Sequence, residues 1–415
     1  MAVAPGAVER YLRLGLALGR HADGFVDAYY GPAALAAEIA SAPPAPPSAL
    51  VAEARALLGA LDAGEPLGDP SRLGDGTGGE GTSTAAAGRR RWLRAQVVGL
   101  LTSARLLAGE RIGYADEVEH CYGVRPGRPE EETILAAHRS LDAVVPGSGS
   151  LVERLVAWRE AQAVPPDALM AALSTLTEDL RERTSRLFGL PDGEQVEWVL
   201  MRDRPWSGFN YYLGGLSSRV AINVDLPVLS TSLAHLVAHE TYPGHHTEHS
   251  RKEVGLVRSR QWWEESIFLV GTPQCLVAEG LADLGLEVVM GERPERLIAE
   301  HLRPLGVPYD ADTVAVVAQA EEALGGVRAL AAFRLHEDGA EPDTVVDEIA
   351  RLALQARPRA ERSVAFLLDP LWRSYISCYV EGLPLCRRYV GGRPERFERL
   401  VTEQLLPEDL LEHAA

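Results

Sequence analysis

The sequence predicts a mainly α-helical protein with one small antiparallel β-sheet that precedes a histidine-rich helix. Apolar residues recur at three- and four-residue spacing along most of the 415-residue chain, which indicates amphipathic helices. Alanine and leucine are abundant, and both favour helix. Residues 194–224 differ, because β-branched and aromatic residues there alternate with Gly, Pro and Ser. Hydrophobic residues make up 46% of the chain, which is enough for a sizeable core.

The predicted helices follow one another along a single domain, residues 1–415. They cover an opening helix around 8–18 and then 48–62, 88–108, 150–162, 166–187, 272–290, 312–336, 343–355 and 370–389. Residues 1–190 form the helical N-terminal part, and we expect a mobile surface loop over its stretch 63–87, which is rich in Gly, Ser, Thr and Asp. Residues 191–415 hold the sheet, from VEWVLM, FNYYL and SRVAINV joined by hairpin turns, and the helices of a candidate site.

Charge and cysteine usage narrow the class of protein. The formal net charge of −18 argues against general affinity for nucleic acid or for an anionic membrane, since both require a basic surface. The four cysteines form no C-x-x-C pair, so we expect reduced, mostly buried thiols. The N-terminus lacks an uninterrupted apolar signal segment, and no stretch approaches the length of a membrane span. We therefore expect a cytoplasmic protein. Whether it forms a homodimer stays open at this point.

The stretch HLVAHETYPGHHTEH, residues 235–249, holds five of the eleven histidines. In the zinc-protease motif H-E-x-x-H, two histidines one helical turn apart bind zinc and the glutamate activates water. Here Pro243 occupies the place of the second histidine, and His245 and His246 follow six and seven residues after His239. Because proline cannot donate a backbone hydrogen bond and glycine loosens the chain, a bulge can return either histidine to His239. The spacing does not choose between them.

His235 and His249 are further candidates within the same stretch. A catalytic site with two histidines also needs a third protein ligand. Glu264 and Glu265 lie in polar surroundings, where we expect a solvated or salt-bridged surface. Glu279 lies in an apolar helical stretch, where a carboxylate is costly unless it is paired or bound to a metal, and it is the predicted ligand.

Two more carboxylates, Asp283 and Glu287, follow Glu279 on the same helical face. They either orient the histidines as hydrogen-bond acceptors or are merely exposed.

Three stretches resemble a known family. HETYPGHH, residues 239–246, resembles the H-E-x-x-P-G-H-H signature of the bacterial domain-of-unknown-function 885 family, whose fold is similar to that of the thermostable carboxypeptidase Taq group of zinc metallocarboxypeptidases. LVAEGLADLGLE, residues 276–287, is similar to the family's E-G-W-A-L-Y-x-E segment, although Leu281 replaces the tryptophan. YVEGLPLCRRYV, residues 379–390, resembles a late Y-x-x-G stretch. The resemblance is strongest over about 195–390 and implies a large helical, zincin-like metallocarboxypeptidase fold.

The resemblance also implies roles for individual residues. His239, His245 and Glu279 would bind one Zn²⁺ per chain, and Glu240 would be the general base. His246 would be an alternative ligand or a group that contacts the substrate. The hydroxyl of Tyr379 would stabilise an oxyanion near the site, with a core aromatic as the alternative.

The expected function is that of a zinc-dependent hydrolase, a peptidase or carboxypeptidase that acts on short peptides or small amides. Arg373 and Arg219 are candidate partners for a substrate carboxylate, with ordinary surface arginines as the alternative. Two other functions stay open: a metal-dependent hydrolase of a non-peptide ester or amide, and an inactive helical binding protein.

Overall fold

The structure, a computed structural model, describes residues 5–68, 73, 83–204 and 208–412. It confirms the mainly helical fold class. The helices of the N-terminal part are α1 Ala7–Gly19, α2 Ala33–Ser41, α3 Pro47–Asp62, α4 Ser83–Leu107, α5 Tyr114–Tyr122, α6 Glu131–Val144, α7 Leu151–Ala161 and α8 Leu169–Phe188. Those of the C-terminal part are α9 Ser230–Glu240, α10 His245–Lys252, α11 Pro273–Met290, α12 Glu295–Leu302, α13 Ala311–His336, α14 Pro342–Leu352, α15 Arg357–Leu368, α16 Ile376–Val390, α17 Pro394–Thr402 and α18 Pro407–Glu412.

The nine predicted helices all form, and apart from the starts of α4 and α16 their boundaries agree with the predicted ones within three residues. Seven further helices of the described ranges were not predicted: α2, α5, α6, α12, α15, α17 and α18. The late helix expected from residue 370 begins at Ile376 instead, because the chain turns between the end of α15 and that residue. Of the loop predicted at 63–87, residues 69–72 and 74–82 lie outside the described residues, and α4 has already begun at Ser83. No helix within the described ranges is both long enough and apolar enough to cross a membrane. All four cysteines are buried free thiols.

The sheet at 194–224 forms where it was expected, but one of its pairings differs. Its strands are β2 Gln195–Met201, β3 Gly208–Tyr212 and β4 Ser217–Asn223, in the order β2-β4-β3. β3 pairs with β4 antiparallel, as predicted, whereas β2 runs parallel to β4. β4 lies between β2 and β3 because its residues 220–222 are all apolar and buried. The chain passes through β3 on its way from β2 to β4, which supplies the long connection that a parallel pair requires. A second small sheet, β1 Val26–Tyr29 with β5 Ile267–Leu269, was not predicted.

The core is divided into two apolar clusters. The first is built by α1, α3 and α4 around side chains such as Tyr11 and Trp92, and it is completed by Ile267 and Leu269 of β5. The second contains the buried faces of the helices from α5 onward and of β4. The N-terminal helices therefore share their core with the strand that leads into α11.

Helices α11 and α16 pack with their backbones in contact. A Cβ atom at Gly280 would lie 2.4 Å from the carbonyl of Gly382, and a Cβ at Gly382 would lie 2.7 Å from the Leu276 carbonyl oxygen. No side chain fits at such distances, so the small residues on both helices permit the close approach. This contact places the first turns of α16 beside Glu279 of α11.

Candidate metal centre

The Pro-Gly pair interrupts the helix that begins at Ser230. α9 ends at Glu240, the Tyr242–Pro243 peptide bond is cis, and α10 begins at His245. The amide of Gly244 donates to the Ala238 carbonyl over 3.0 Å, so the turn folds back on the end of α9.

Only glycine fits at position 244. A Cβ atom there would lie 2.0 Å from the carbonyl oxygen of His239, far inside van der Waals contact. The tight turn brings His245 rather than His246 back towards α9, and the Nε2 atoms of His239 and His245 lie 3.1 Å apart. The structure thus makes the choice that spacing alone left open.

Glu279 completes a group of three potential ligands. Its Oε2 lies 3.5 Å from Nε2 of His239, and its Oε1 lies 3.6 Å from Nε2 of His245. Ligand atoms on a tetrahedral zinc with bonds of about 2.0 Å are roughly 3.3 Å apart, close to these separations. Glu279 is 5% exposed, and its Oε2 is buried without a hydrogen-bond partner among the described residues. A buried carboxylate oxygen without a hydrogen-bond donor is a suitable ligand for a cation.

Two neighbouring side chains orient the group. Nδ1 of His239 lies 2.8 Å from Oδ1 of Asp283 and donates to that carboxylate, which leaves Nε2 directed at the other ligands. The Tyr375 hydroxyl donates to Oε1 of Glu279 over 2.9 Å. The Tyr379 hydroxyl is one step further away and lies 3.4 Å from that of Tyr375. Sequence analysis missed Tyr375, although it precedes Tyr379 by one helical turn.

Without a metal, the neighbouring carboxylates favour the doubly protonated, positively charged form of His239. Burial lowers its pKa, but the hydrogen bond to Asp283 and the nearby carboxylate of Glu279 outweigh burial and raise the pKa well above the usual value. Burial, together with the positive charge on His239, lowers the pKa of His245 to about 4. His245 is therefore a neutral imidazole near pH 7, with its Nε2 facing Nε2 of His239.

Glu240 lies at the end of α9, next to the ligand group. Burial raises the pKa of its carboxyl to about 7; His239 opposes this rise, and the negative charge of Glu279 adds to it. Its main-chain carbonyl accepts from Nδ2 of Asn210 in β3 over 2.6 Å, and a hydrogen bond from the main chain of Asn210 opposes the rise of the carboxyl's pKa. A carboxyl whose pKa is near neutrality can accept and release a proton.

His246 does not join this group. It is fully buried, with Nδ1 2.8 Å from the Ser218 hydroxyl and Nε2 2.9 Å from Oε2 of Glu194. Glu194 also accepts from Tyr242 and from Arg181. Both ring nitrogens are engaged, so the expected role as a ligand or substrate contact is wrong. His246 instead anchors α10 to β4.

Glu194 is the partner that sequence analysis missed. It lies in a polar stretch just before β2, and nothing in its local pattern distinguishes it from a surface glutamate.

The remaining candidates of the histidine stretch lie outside the ligand group. His235 is half exposed, with Nε2 3.5 Å from Oδ1 of Asp283. His249 stacks on Tyr212 and meets Phe268 edge-on, which makes it part of the core.

Both arginines proposed for a substrate carboxylate already have partners. Arg373 pairs with the buried Glu117 at 2.5 Å, and Arg219 pairs with Glu197 at 2.9 Å on the exposed sheet. Each guanidinium is thus paired with a carboxylate of the chain itself.

The other acidic residues behave differently from one another. The expected surface position of Glu264 and Glu265 is wrong, since both are buried. The salt-bridged alternative holds for Glu264, which forms an ion pair with Arg89. Burial raises the pKa of Glu265 to about 7. Glu287 pairs with Arg387 at 3.0 Å and takes no part in orienting the histidines.

Comparison with known proteins shows a similarity in fold alone. No protein-family model and no curated protein matches the chain. Among solved structures, the chain is similar to the crystal structure of "the putative lipoprotein from Colwellia psychrerythraea", with a TM-score of 0.55 and 14% sequence identity. The similarity covers 88% of this chain and 65% of that one, so this chain spans about two thirds of the length of its neighbour. At this identity the likeness shows a shared fold and nothing of activity.

Proposed function

We propose that the protein is a zinc-dependent hydrolase of peptide or small amide bonds, related to the domain-of-unknown-function 885 family. The observation that carries the proposal is the convergence of His239, His245 and Glu279, whose ligand atoms lie 3.1–3.6 Å apart, with Asp283 behind His239. Two imidazoles and one carboxylate suit zinc. A carboxyl with a pKa near 7, on Glu240, stands beside them.

The residues divide the chemistry among themselves. A divalent ion held by the three ligands supplies Lewis acidity and makes water at the site more acidic. Glu240 accepts the proton of the attacking water at its carboxylate and passes it to the leaving amine. The Tyr379 hydroxyl, on a side chain that is 38% exposed, donates to the oxygen that gains negative charge. Asp283 keeps the protonated nitrogen of His239 turned away from the reaction.

The position of β3 favours an extended substrate. β3 is an edge strand of its sheet, and its first residue, Gly208, lies close to Glu240: a Cβ there would be 3.5 Å from Oε1. An extended peptide can pair with such an edge through its main chain. Short peptides in the cytoplasm are the substrate class and the place that we propose. The charge of −18 disfavours nucleic acid as a partner.

Metal content and turnover together test the proposal. We expect about one zinc per chain in the purified protein by elemental analysis, and its loss in His239→Ala. Glu240→Gln should keep the zinc but lose about 10²- to 10⁴-fold of the turnover of a peptide panel, the usual contribution of a general base. Glu197→Gln, on the exposed sheet, is the control and should behave like the parent.

Two results would remove the proposal. One is the absence of metal even after zinc is added back, which would leave a helical binding protein. The other is a fully active Glu240→Gln variant. Hydrolysis of esters without any cleavage of peptides would keep the metal centre and change the substrate class.

A further inference from the structure

The edge strand β3 meets the end of α9 at the candidate general base. The missing side chain of Gly208 permits this approach, since a Cβ there would lie 2.8 Å from Cδ1 of Leu236 and 3.5 Å from Oε1 of Glu240. Asn210 follows two residues later on the same face of the strand. Its Nδ2 donates to the main-chain carbonyl of Glu240 over 2.6 Å. The strand therefore approaches Glu240 through a glycine and binds it through an asparagine.

The bond from Asn210 replaces one that the helix itself does not supply. The last carbonyls of a helix lack donors from the following turn. At the end of α9 the amide of Gly244, which would continue the helix, donates to the Ala238 carbonyl over 3.0 Å. The carbonyl of Glu240 accepts instead from a side chain thirty residues earlier in the chain. The backbone that carries the base is thus fixed by the sheet.

The register of β3 directs the main chain of Asn210 to the same side. The amide of Leu213 donates to the Ser217 carbonyl over 2.9 Å, which marks a hydrogen-bonded pair. Hydrogen-bonded and non-hydrogen-bonded pairs alternate along antiparallel strands, so Asn210 and its partner Val220 form a pair without such bonds. The main-chain N–H of Asn210 therefore points away from β4, and it supplies a hydrogen bond to the carboxylate of Glu240.

Stability alone does not account for an asparagine at this position. Asn210 is 7% exposed, and its Nδ2 has to face the Glu240 carbonyl because that oxygen only accepts. Its Oδ1 is then buried without a donor among the described residues. The cost of this unpaired acceptor offsets the gain from the bond to Glu240.

We propose that Asn210 is a positioning residue, which holds the Glu240 carboxylate beside the ligand group. The inference rests on the proposed function and gives β3 the task of fixing the base. Such a task affects turnover strongly, because a misplacement of about 1 Å can cost 10²-fold in rate.

Steady-state kinetics of the full-length, zinc-loaded protein test the inference. With a peptide that the parent cleaves, Asn210→Ala should lower kcat by about 10- to 100-fold at an unchanged KM, and elemental analysis should find the zinc retained. Asn210→Asp keeps the shape but not the N–H donor, so it should lose as much; it also replaces Asn210→Ala if that variant fails to fold. Asn223→Ala is the matched control, because the side-chain amide of Asn223 also donates to a main-chain carbonyl, that of Arg204, over 2.8 Å.

Three results overturn the inference. One is an undiminished kcat in either Asn210 variant. Another is a raised KM with unchanged kcat, which would place Asn210 in contact with the substrate. The third is loss of zinc from Asn210→Ala, because the residue would then support the ligands and not the base.

Crystal structures separate this inference from the proposed function. If the parent cleaves no peptide, the proposed function fails, and the position of the Glu240 carboxylate decides. A carboxylate that moves by about 1 Å or more in Asn210→Ala, but stays in place in Asn223→Ala, supports the positioning role. A carboxylate that stays in place in both variants overturns it.

Discussion

Removal of the Asp283 carboxylate is expected to weaken zinc binding without removing a ligand. Asp283 lies behind His239, and its Oδ1 accepts from Nδ1 over 2.8 Å. Its side chain is 13% exposed, so water cannot easily replace it. In Asp283→Ala the His239 ring loses the contact that fixes its tautomer and orientation.

The size of the effect follows from that single contact. Loss of a carboxylate that supports a metal-binding histidine typically costs 10- to 100-fold in affinity, or about 1.4–2.8 kcal/mol. A smaller effect opposes it: without Asp283 the raised pKa of His239 falls, and protons compete less with the metal. The net loss should therefore be largest at about pH 8 and smaller at pH 6. Asp283→Asn keeps an acceptor oxygen but not the charge, so its affinity should be intermediate.

Competition with a chromophoric chelator measures the affinity of parent and variants. Glu287→Gln is the control, because Glu287 lies one turn further along α11 and pairs with Arg387 instead. Zinc affinity in Asp283→Ala equal to that of the parent at pH 8 would refute the orienting role. A matching loss in Glu287→Gln would show that the effect is only the charge of the region.

Three other predictions concern packing, acid stability and the two histidines. Gly382→Ala should lower the free energy of unfolding by about 1–3 kcal/mol, because the added methyl group overpacks the contact between α11 and α16. Gly325→Ala should raise it by about 0.5–1 kcal/mol, because its Cβ would meet nothing within 4 Å and alanine favours the helix. Thermal unfolding of both variants measures these changes. Burial raises the pKa of Glu194, but its hydrogen bonds, first that of His246, hold the pKa below the usual 4.5. Its stabilisation is therefore present above pH 4.5 and lost as the pH falls through the lowered value, so Glu194→Gln should be less stable than the parent by about 3 kcal/mol at pH 7 and less so near pH 3, in urea titrations. His245→Ala should lose zinc but stay folded, while His246→Ala should retain zinc and unfold at a lower temperature; the reverse pattern would contradict the assignment.

Helical periodicity predicted nine of the eighteen described helices, mainly the longer ones. Helices such as Pro47–Asp62 and Pro273–Met290 lie within one residue of their predicted limits, because their apolar faces alone define them. The order of the strands was not accessible in this way. β2 and β4 become parallel neighbours through tertiary packing, and no local pattern in either strand records which partner it takes.

In the candidate site, too, some residues were predictable from local sequence and others were not. Glu279 was identified because an apolar stretch makes a lone carboxylate conspicuous, and Asp283 because it follows one turn later. The choice between His245 and His246 depended on how the chain turns at 241–244, which regular helical geometry does not describe. Glu194 and Tyr375 were missed because their roles arise from partners distant in sequence.

The turn at Gly244 also bears on how mutational data from this protein are to be understood. Any side chain at that position meets the carbonyl oxygen of His239, so every substitution displaces the backbone that carries this candidate ligand. Loss of activity after replacement of Gly244 would therefore reflect a steric displacement of the backbone and not the removal of a chemical group. Intolerance to substitution is thus a poor guide to catalytic residues within this segment, and retained folding has to be demonstrated first.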